Sequence, residues 1–433
     1  MAQIKPFRGV LYNPRLIDDL SKAVTPPYDV ISENMQEEYY SLHRNNVIRL
    51  ILGRIKKGDN RFSNRYTRAK KFFKSWIDKG ILLQDKTPSL YIYRQDYYFR
   101  GNLKTRLGFV SLMKVEDPHK SRVLPHEYTF AKPKKDRLNL LKATRANLSP
   151  IFTLYDDRDS LITEILKVNT NRDPDIDIEQ DGVSHKLWRL SDQDVISKIS
   201  DLVKDKQVFI ADGHHRYEVA LTFRDMMRKR KRRSQREIGS DYIMVYFSNL
   251  DPESQTILST HRVIRSIKKT KFQKPISELK RYFHVENLKS KDEMFSKMEG
   301  AGEDESVFGM YYKKEGFLLL TLKERDVLSK IIAQNRSYQW KWLDVTILHQ
   351  LIFNHILKVK EKVAKKDNIV YTRETDYAVR LVDEGGYQVC FFLNPPKIEQ
   401  VRDVASSRDR MPRKTTYFYP KPLSGLVFYK HEA

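Results

Sequence analysis

The chain has 433 residues, and 80 lysines and arginines against 56 aspartates and glutamates give a formal net charge of +24. A hydrophobic content of 40% with 11% aromatics excludes a disordered polymer, and no apolar run approaches the ~20 residues needed to span a bilayer. One cysteine, Cys390, excludes an internal disulfide and any multi-cysteine metal site. Length predicts roughly two to three domains, the N-terminus lacks a signal-peptide pattern, and the cytoplasm is the expected compartment. The excess charge favours anionic partners, either nucleic acid or phosphate-bearing small molecules.

Taken in order, Val24–Ser32 is a turn or extended segment because Pro26 and Pro27 bar helix. Its Tyr28 and Asp29 read either as part of a chain reversal or as part of a ligand-facing loop. Asp29 or Ser32 is expected to cap the next helix, and Asn46–Leu52 reads as a buried strand. Phe62, Tyr66, Ala69, Phe72, Phe73, Trp76 and Ile77 recur at helical spacing before Gly80, which predicts a core-facing aromatic stripe. Leu90–Phe99 and Thr105–Val115 alternate as strands about Arg100-Gly101-Asn102, a hairpin signal.

Adjacent His126 and Glu127 come next, either in an ordinary surface loop or as a general base or metal ligand. Asp136–Ala146 reads as a helix and Asn147–Tyr155 as a strand with Pro150 at its edge or start. From about 156 to 265 strands and helices alternate: Leu161–Val168 helical, Lys186–Leu190 strand-like, and Ser191-x-x-Asp194 a capping box for a helix to about Val203. The basic run Arg228–Arg236 reads as a solvated helix end or loop, with nucleic-acid contact as the alternative. Residues 266–335 are lysine-rich, helical and then strand-like, and Leu343–Leu357 forms an amphipathic helix. Tyr387–Leu393 is a central strand whose Cys390 is an inert buried thiol. Lys414, Thr415 and Thr416, in a proline-stiffened tail, are either structural or further pocket residues.

The densest polar cluster lies at Gln207-Val-Phe-Ile-Ala-Asp-Gly-His-His-Arg-Tyr-Glu218. A β-prone run, Val208–Ala211, stops at Asp212-Gly213, and a helical pattern begins at once. Such a turn aims the first N–H groups of the helix at open space, where an anion can bind. Gly213 allows close backbone approach, Arg216 can fork onto phosphate oxygens, and Asp212 could hold magnesium or orient a hydroxyl. His214 and His215 are adjacent, so they diverge and do not share one metal ion. A capped helix with surface histidines is the structural alternative.

Several segments together resemble a prokaryotic family described only as a domain of unknown function. They include Lys5-Pro-Phe-Arg-Gly9, Pro26-Pro-Tyr-Asp-Val-Ile31, Leu124-Pro-His-Glu127, Ala211-Asp-Gly-His-His-Arg-Tyr217 and Met411-Pro-x-Lys-Thr-Thr-Tyr-Phe-Tyr-Pro420. The Asp-Gly-His-His-Arg turn is also similar to the phosphate-contacting motif of the ParB/sulfiredoxin superfamily, which includes partition proteins, sulfiredoxin and a free-serine kinase. That second resemblance covers the middle of the chain and implies phosphate or nucleotide binding by Gly213, His214, His215 and Arg216, with Asp212 assisting. Sulfiredoxin's catalytic cysteine is absent from the turn. The kinase's catalytic glutamate has no motif match here, and Glu127, beside His126, is assigned that role on chemistry alone.

The expected fold is α/β, with α+β as the alternative: a mixed sheet flanked by helices, with a ParB/sulfiredoxin-like core. Its expected segments are 1–155, 156–265 around the phosphate turn, 266–335 as an insertion, and 336–433 packing back on the core. The expected function is nucleotide or phosphate binding with transfer of a phosphoryl group to a small hydroxyl-bearing metabolite, with ATP or ADP as the nucleotide and magnesium at Asp212. Tyr28, Asp29, Glu218, Lys414, Thr415 and Thr416 are the additional pocket candidates, and Arg216→Ala is expected to abolish nucleotide binding without unfolding the chain. A nucleic-acid-binding or nucleotide-dependent regulatory protein is the alternative, and no membrane partner is expected.

Overall fold

A computed structural model describes residues 2–118, 121–230, 236–265, 275–302, 304–332, 335–359 and 368–432. The polypeptide divides into two compact units, one of residues 1–125, 129–256 and 420–433, the other of residues 126–128 and 257–419. The boundary expected at 155/156 falls inside the first unit, because strands on both sides of it share one sheet.

That sheet is assembled from β1 (Ile4–Lys5), β2 (Leu90–Phe99), β3 (Asn102–Lys114), β4 (Val123–Pro125), β5 (Ile151–Tyr155), β6 (Ile176–Gln180), β7 (Val183–Leu190), β8 (Val208–Asp212) and β9 (Tyr242–Asn249). Its order is β4-β8-β5-β9-β3-β2-β7-β6, with β1 added against β3. The pairs β8–β4 and β9–β5 are parallel and the others antiparallel, so the sheet is mixed, as expected. Arg100 and Gly101 turn the β2–β3 hairpin at φ +52° and +79°, a two-residue turn with both central residues left-handed.

The apolar runs of β5 and β8 are buried along their whole length, which suits strands covered on both faces. Helices α1 (Glu33–Leu42), α2 (Arg65–Asp78), α3 (Ala131–Thr144), α4 (Leu161–Val168), α5 (Gln193–Lys204) and α6 (His214–Arg230) belong to the same unit. Ile162 and Leu166 of α4, Ile196, Ile199 and Val203 of α5, and Tyr217 and Ala220 of α6 join the sheet in one core. A second core gathers Val10, Tyr12, Val47, Leu50, Ala69, Phe73, Trp76 and Phe428.

Local signals were partly misleading. Asn46–Leu52 is not a strand: Ile48–Ile51 forms a short buried helix, started by the Asn46 side chain, which accepts from the Ile48 N–H at 2.8 Å. A continuous apolar run does not separate the two states. Asp192, not Ser191, caps α5, accepting from Asp194 and Val195 N–H, while Ser32 caps α1 as expected. In α2 only Ala69, Phe73 and Trp76 are buried, whereas Phe62 is 75% and Phe72 37% exposed, so the predicted stripe is only partly core.

The second unit holds an antiparallel sheet of β10 (His261–Ile264), β11 (Phe283–Leu288), β12 (Val307–Tyr312), β13 (Gly316–Leu322), β14 (Ile369–Thr372) and β15 (Val389–Leu393), in the order β11-β13-β12-β15-β10-β14. Met294 and Met298 of α7 (Lys291–Glu299) and Ala378 and Val382 of α8 (Thr375–Asp383) pack with Val263, Val307, Cys390 and Phe392. β15 is an interior strand, as its apolar run predicts. Cys390 is buried, and burial pushes its thiol well above the ordinary value. The basic run Arg228–Arg236 lies mostly outside the described residues; its first residue is held by Asp241, with Nε donating to Oδ1 at 2.8 Å. Among the described residues, no helix is long and apolar enough to cross a membrane.

Candidate functional site

The end of β8 is shaped by two departures from regular strand. Its pairing with β5 shifts register between Ile210 and Asp212, a bulge that redirects the backbone at the strand end. Gly213 then takes φ +93°, a conformation L side chains rarely adopt, and α6 begins at the next residue. A Cβ on Gly213 would lie 3.0 Å from the Arg216 guanidinium, which would have to give by a few tenths of an ångström, so the backbone conformation is the stronger reason for glycine.

Asp212 sits between two cations. Arg216, one turn along α6, donates from Nη2 to Oδ2 at 2.5 Å, and the Lys421 ammonium is paired with Oδ1. Arg216 also donates from Nη1 to the Pro150 carbonyl. The side chains of Asp212, Arg216 and Lys421 are 9%, 12% and 8% exposed. Lys421 is positioned by its own backbone: buried Arg106 donates to the Pro420 carbonyl at 2.7 Å, and Gln95 Nε2 to that of Lys421 at 3.3 Å.

The rest of the turn is tied to the start of α3. His215 Nε2 accepts from the Phe130 N–H at 3.0 Å, which fixes that nitrogen as an acceptor. Glu218 Oε2 accepts from Thr129 Oγ1 at 2.6 Å and from Lys134 Nζ at 2.9 Å. His214 is buried. Tyr28 meets Arg216 along the wall of a cavity of ≈ 60 Å³, where the Arg137 guanidinium lies 3.8 Å from the Tyr28 ring centre. Burial pushes the Tyr28 phenol up to about 12, against the opposing field of Arg137. Asp29, the neighbouring candidate, is exposed to solvent.

The remaining candidates belong to the second unit. His126 Nε2 and Thr416 Oγ1 are 2.9 Å apart, and the Thr416 hydroxyl donates to Glu127 Oε1 at 3.2 Å. A hydroxyl has one proton, so when it serves Glu127 the His126 contact is made by an imidazole N–H. Buried Arg262 donates to the Arg413 and Lys414 carbonyls at 3.3 and 3.1 Å, and Thr415 Oγ1 donates to the Pro412 carbonyl at 2.6 Å. Thr415 and Thr416 are thus held by an ordered loop, while Lys414 adopts φ +55°.

Two sequence expectations change. Arg216 was expected to clamp phosphate, yet its two terminal nitrogens serve Asp212 and Pro150, so it braces the turn. Magnesium does not fit at Asp212, because a metal ion would enter between two cations already bonded to both carboxylate oxygens. Among the described residues, no three His, Cys, Asp or Glu side chains gather as a metal site. Sequence reasoning missed Lys421; its flanking Pro420 and Pro422 were the only signal that it is held rigidly.

Two cations against one carboxylate, at the positive end of a 17-residue helix, make this turn electropositive. What it can do chemically is hold an anion.

The model of the family described as "Protein of unknown function (DUF1015)" matches residues 4–346, and the chain belongs to that family. No curated protein matches significantly. Among solved structures, it is similar to a conserved hypothetical protein from Pyrococcus furiosus at 11% identity, over 72% of this chain and 92% of that one, with a TM-score of 0.33. A free serine kinase in complex with AMP matches at 12% identity over 71% and 86% of the two chains, with a TM-score of 0.34. SbnI with a C-terminal truncation, from Staphylococcus aureus, matches at 10% identity over 73% and 85%, with a TM-score of 0.35.

Proposed function

We propose that this member of the DUF1015 family binds the phosphate of a nucleotide or other phosphorylated small molecule at the Asp212–Arg216 turn, and that it transfers a phosphoryl group to a small hydroxyl-bearing metabolite. The observation that carries this reading is the joining of Arg216 and Lys421 on Asp212 at the N-terminal end of α6. Backbone N–H groups at the start of that helix are the donors for the phosphate, and the field of the two cations adds to the helix dipole. The resemblance of Asp212-Gly-His-His-Arg216 to a phosphate-contacting motif points the same way.

Phosphoryl transfer asks little covalent chemistry of a protein; charge neutralisation and positioning supply most of the catalysis. A base must still take the proton of the acceptor hydroxyl. Glu127, whose Oε1 accepts from the Thr416 hydroxyl, is expected in that role on chemistry alone, and no base is assigned at the turn. ATP or ADP is the proposed nucleotide, with no magnesium ligand assigned to Asp212.

Thermal-shift and calorimetric titration with ATP, ADP, AMP and inorganic phosphate test the binding, and phosphorus NMR with small alcohols and amino acids tests the transfer. Stabilisation by a phosphate compound that is lost in Gly213→Ala is the expected result. Absence of any phosphate-dependent shift overturns the proposal.

A further inference from the structure

The chain's positive charge is unevenly spread. Residues 53–79 contain ten basic and two acidic side chains, a third of the +24 in 27 positions. Three of the ten are in ion pairs, Arg54 with Glu37, Arg65 with Asp136 and Arg68 with Asp59. Lys56, Lys57, Arg61, Lys70, Lys71 and Lys74 are exposed, and among the described residues they have no ion-pair partner. On α2, Lys70 and Lys71 stand four and three positions before Lys74, where like charges repel across the helix surface.

Two large apolar side chains protrude from the same region, Ile55 and Phe62, each 75% exposed. The loop that carries them is braced. Arg68 forks onto Asp59 at 2.6 and 2.9 Å and donates to the Arg54 carbonyl at 2.7 Å. Asn60 Oδ1 accepts from the Phe62 and Ser63 N–H groups at 2.9 and 3.0 Å. Nearby guanidinium groups already lie over aromatic rings, Arg61 at 4.4 Å from the Phe62 centroid and Arg54 at 4.0 Å from that of Tyr40. An ordered loop that holds a phenyl ring in water among unpaired cations has the features of a stacking platform beside a track for phosphates.

We propose that residues 53–79 bind single-stranded nucleic acid: Phe62 stacks on an unpaired base, and Lys56, Lys57, Lys70, Lys71 and Lys74 follow the backbone. A duplex would not use Phe62, because its bases are already stacked. An anionic membrane suits this surface less well, since burying Phe62 in hydrocarbon would draw the Arg61 charge in with it. The inference is independent of phosphate binding at Asp212.

The test is fluorescence anisotropy of the full chain with labelled oligo-dT and oligo-rU over a range of salt concentrations, repeated with a DNA duplex and with phosphatidylserine vesicles. Wild type should bind the single strands with a steep salt dependence. K56Q/K57Q/K70Q/K71Q/K74Q, with every substitution at an exposed position, should bind more weakly, its log–log salt slope falling by about 0.7 for each phosphate no longer neutralised. Phe62→Ala should weaken single-strand binding roughly tenfold and leave duplex binding unchanged. Circular dichroism should show both variants folded, and their response to ATP should match wild type. Unaltered oligonucleotide binding and slope in either variant overturns the proposal. So does binding by wild type to vesicles but not to oligonucleotides.

Discussion

Lys421 closes a buried ion pair with Asp212 across 209 positions of sequence, and each side chain is less than a tenth exposed. A buried charge left uncompensated typically costs about 3–5 kcal/mol, but removing Lys421 leaves Asp212 still paired with Arg216 through Oδ2. Lys421→Met should therefore lower the unfolding free energy by less than that, as read from urea denaturation. Asp212→Asn should be at least as damaging, because it strands two cations.

Arg216→Ala, expected from sequence to be a clean binding mutant, should instead destabilise the first unit. It removes the partner of Asp212 Oδ2 and leaves the Pro150 carbonyl without its donor. A fall in melting temperature before any ligand is added is the expected outcome. An unchanged melting temperature would mean the brace contributes little.

Gly213→Ala forces a Cβ into φ +93° and to within 3.0 Å of the Arg216 guanidinium. Left-handed backbone alone costs an L residue about 1–2 kcal/mol. The expected result is a modest loss of stability with a much larger loss of phosphate affinity, measured by calorimetry on the folded variant.

Acid should weaken the fold through its buried histidines. Burial lowers His185 from its ordinary value to about 3, and lowers His261 and His431 to about 4. Between roughly pH 6.5 and those values the unfolded chain takes up protons the folded chain refuses, so stability is full above the unfolded value and falls as pH drops. The limiting slope is about 1.4 kcal/mol per pH unit for each histidine. His185→Asn, which removes one such group, should flatten the pH dependence of urea unfolding between pH 6.5 and 4.

Cys390 offers a probe of the second unit. As a buried thiol held in its protonated form, it should resist alkylation in the native protein and react only on unfolding. Mass spectrometry after iodoacetamide at increasing urea reports that event, and rapid labelling without urea would contradict the burial.

The strand–turn–helix at 208–230 could be read from sequence because each signal in it is local: an apolar run, a glycine that needs positive φ, and helical periodicity. The β2–β3 hairpin was legible for the same reason. Asn46–Leu52 was not, since a buried apolar run fits strand and helix alike and the deciding contact is an asparagine side chain. Arg216 is legible as a polar group of the turn while its bonds to Asp212 and Pro150 are not, because a guanidinium four residues from a carboxylate can serve that carboxylate as readily as a ligand. Lys421 was invisible: nothing near it in sequence points to Asp212. The exposure of Phe62 is not legible, because periodicity registers the spacing of aromatic residues and is silent on where the helix begins, and α2 starts only at Arg65.

The first unit is interrupted by residues 257–419, which make up nearly all of the second. During synthesis at about 5–20 residues per second, the 209 positions between Asp212 and Lys421 take roughly 10–40 s to appear. Over that interval the second unit can fold while the first still lacks its last segment. The turn around Asp212 is thus completed late, and a ribosome-stalled chain ending before Lys421 should expose it to proteases that the released chain resists.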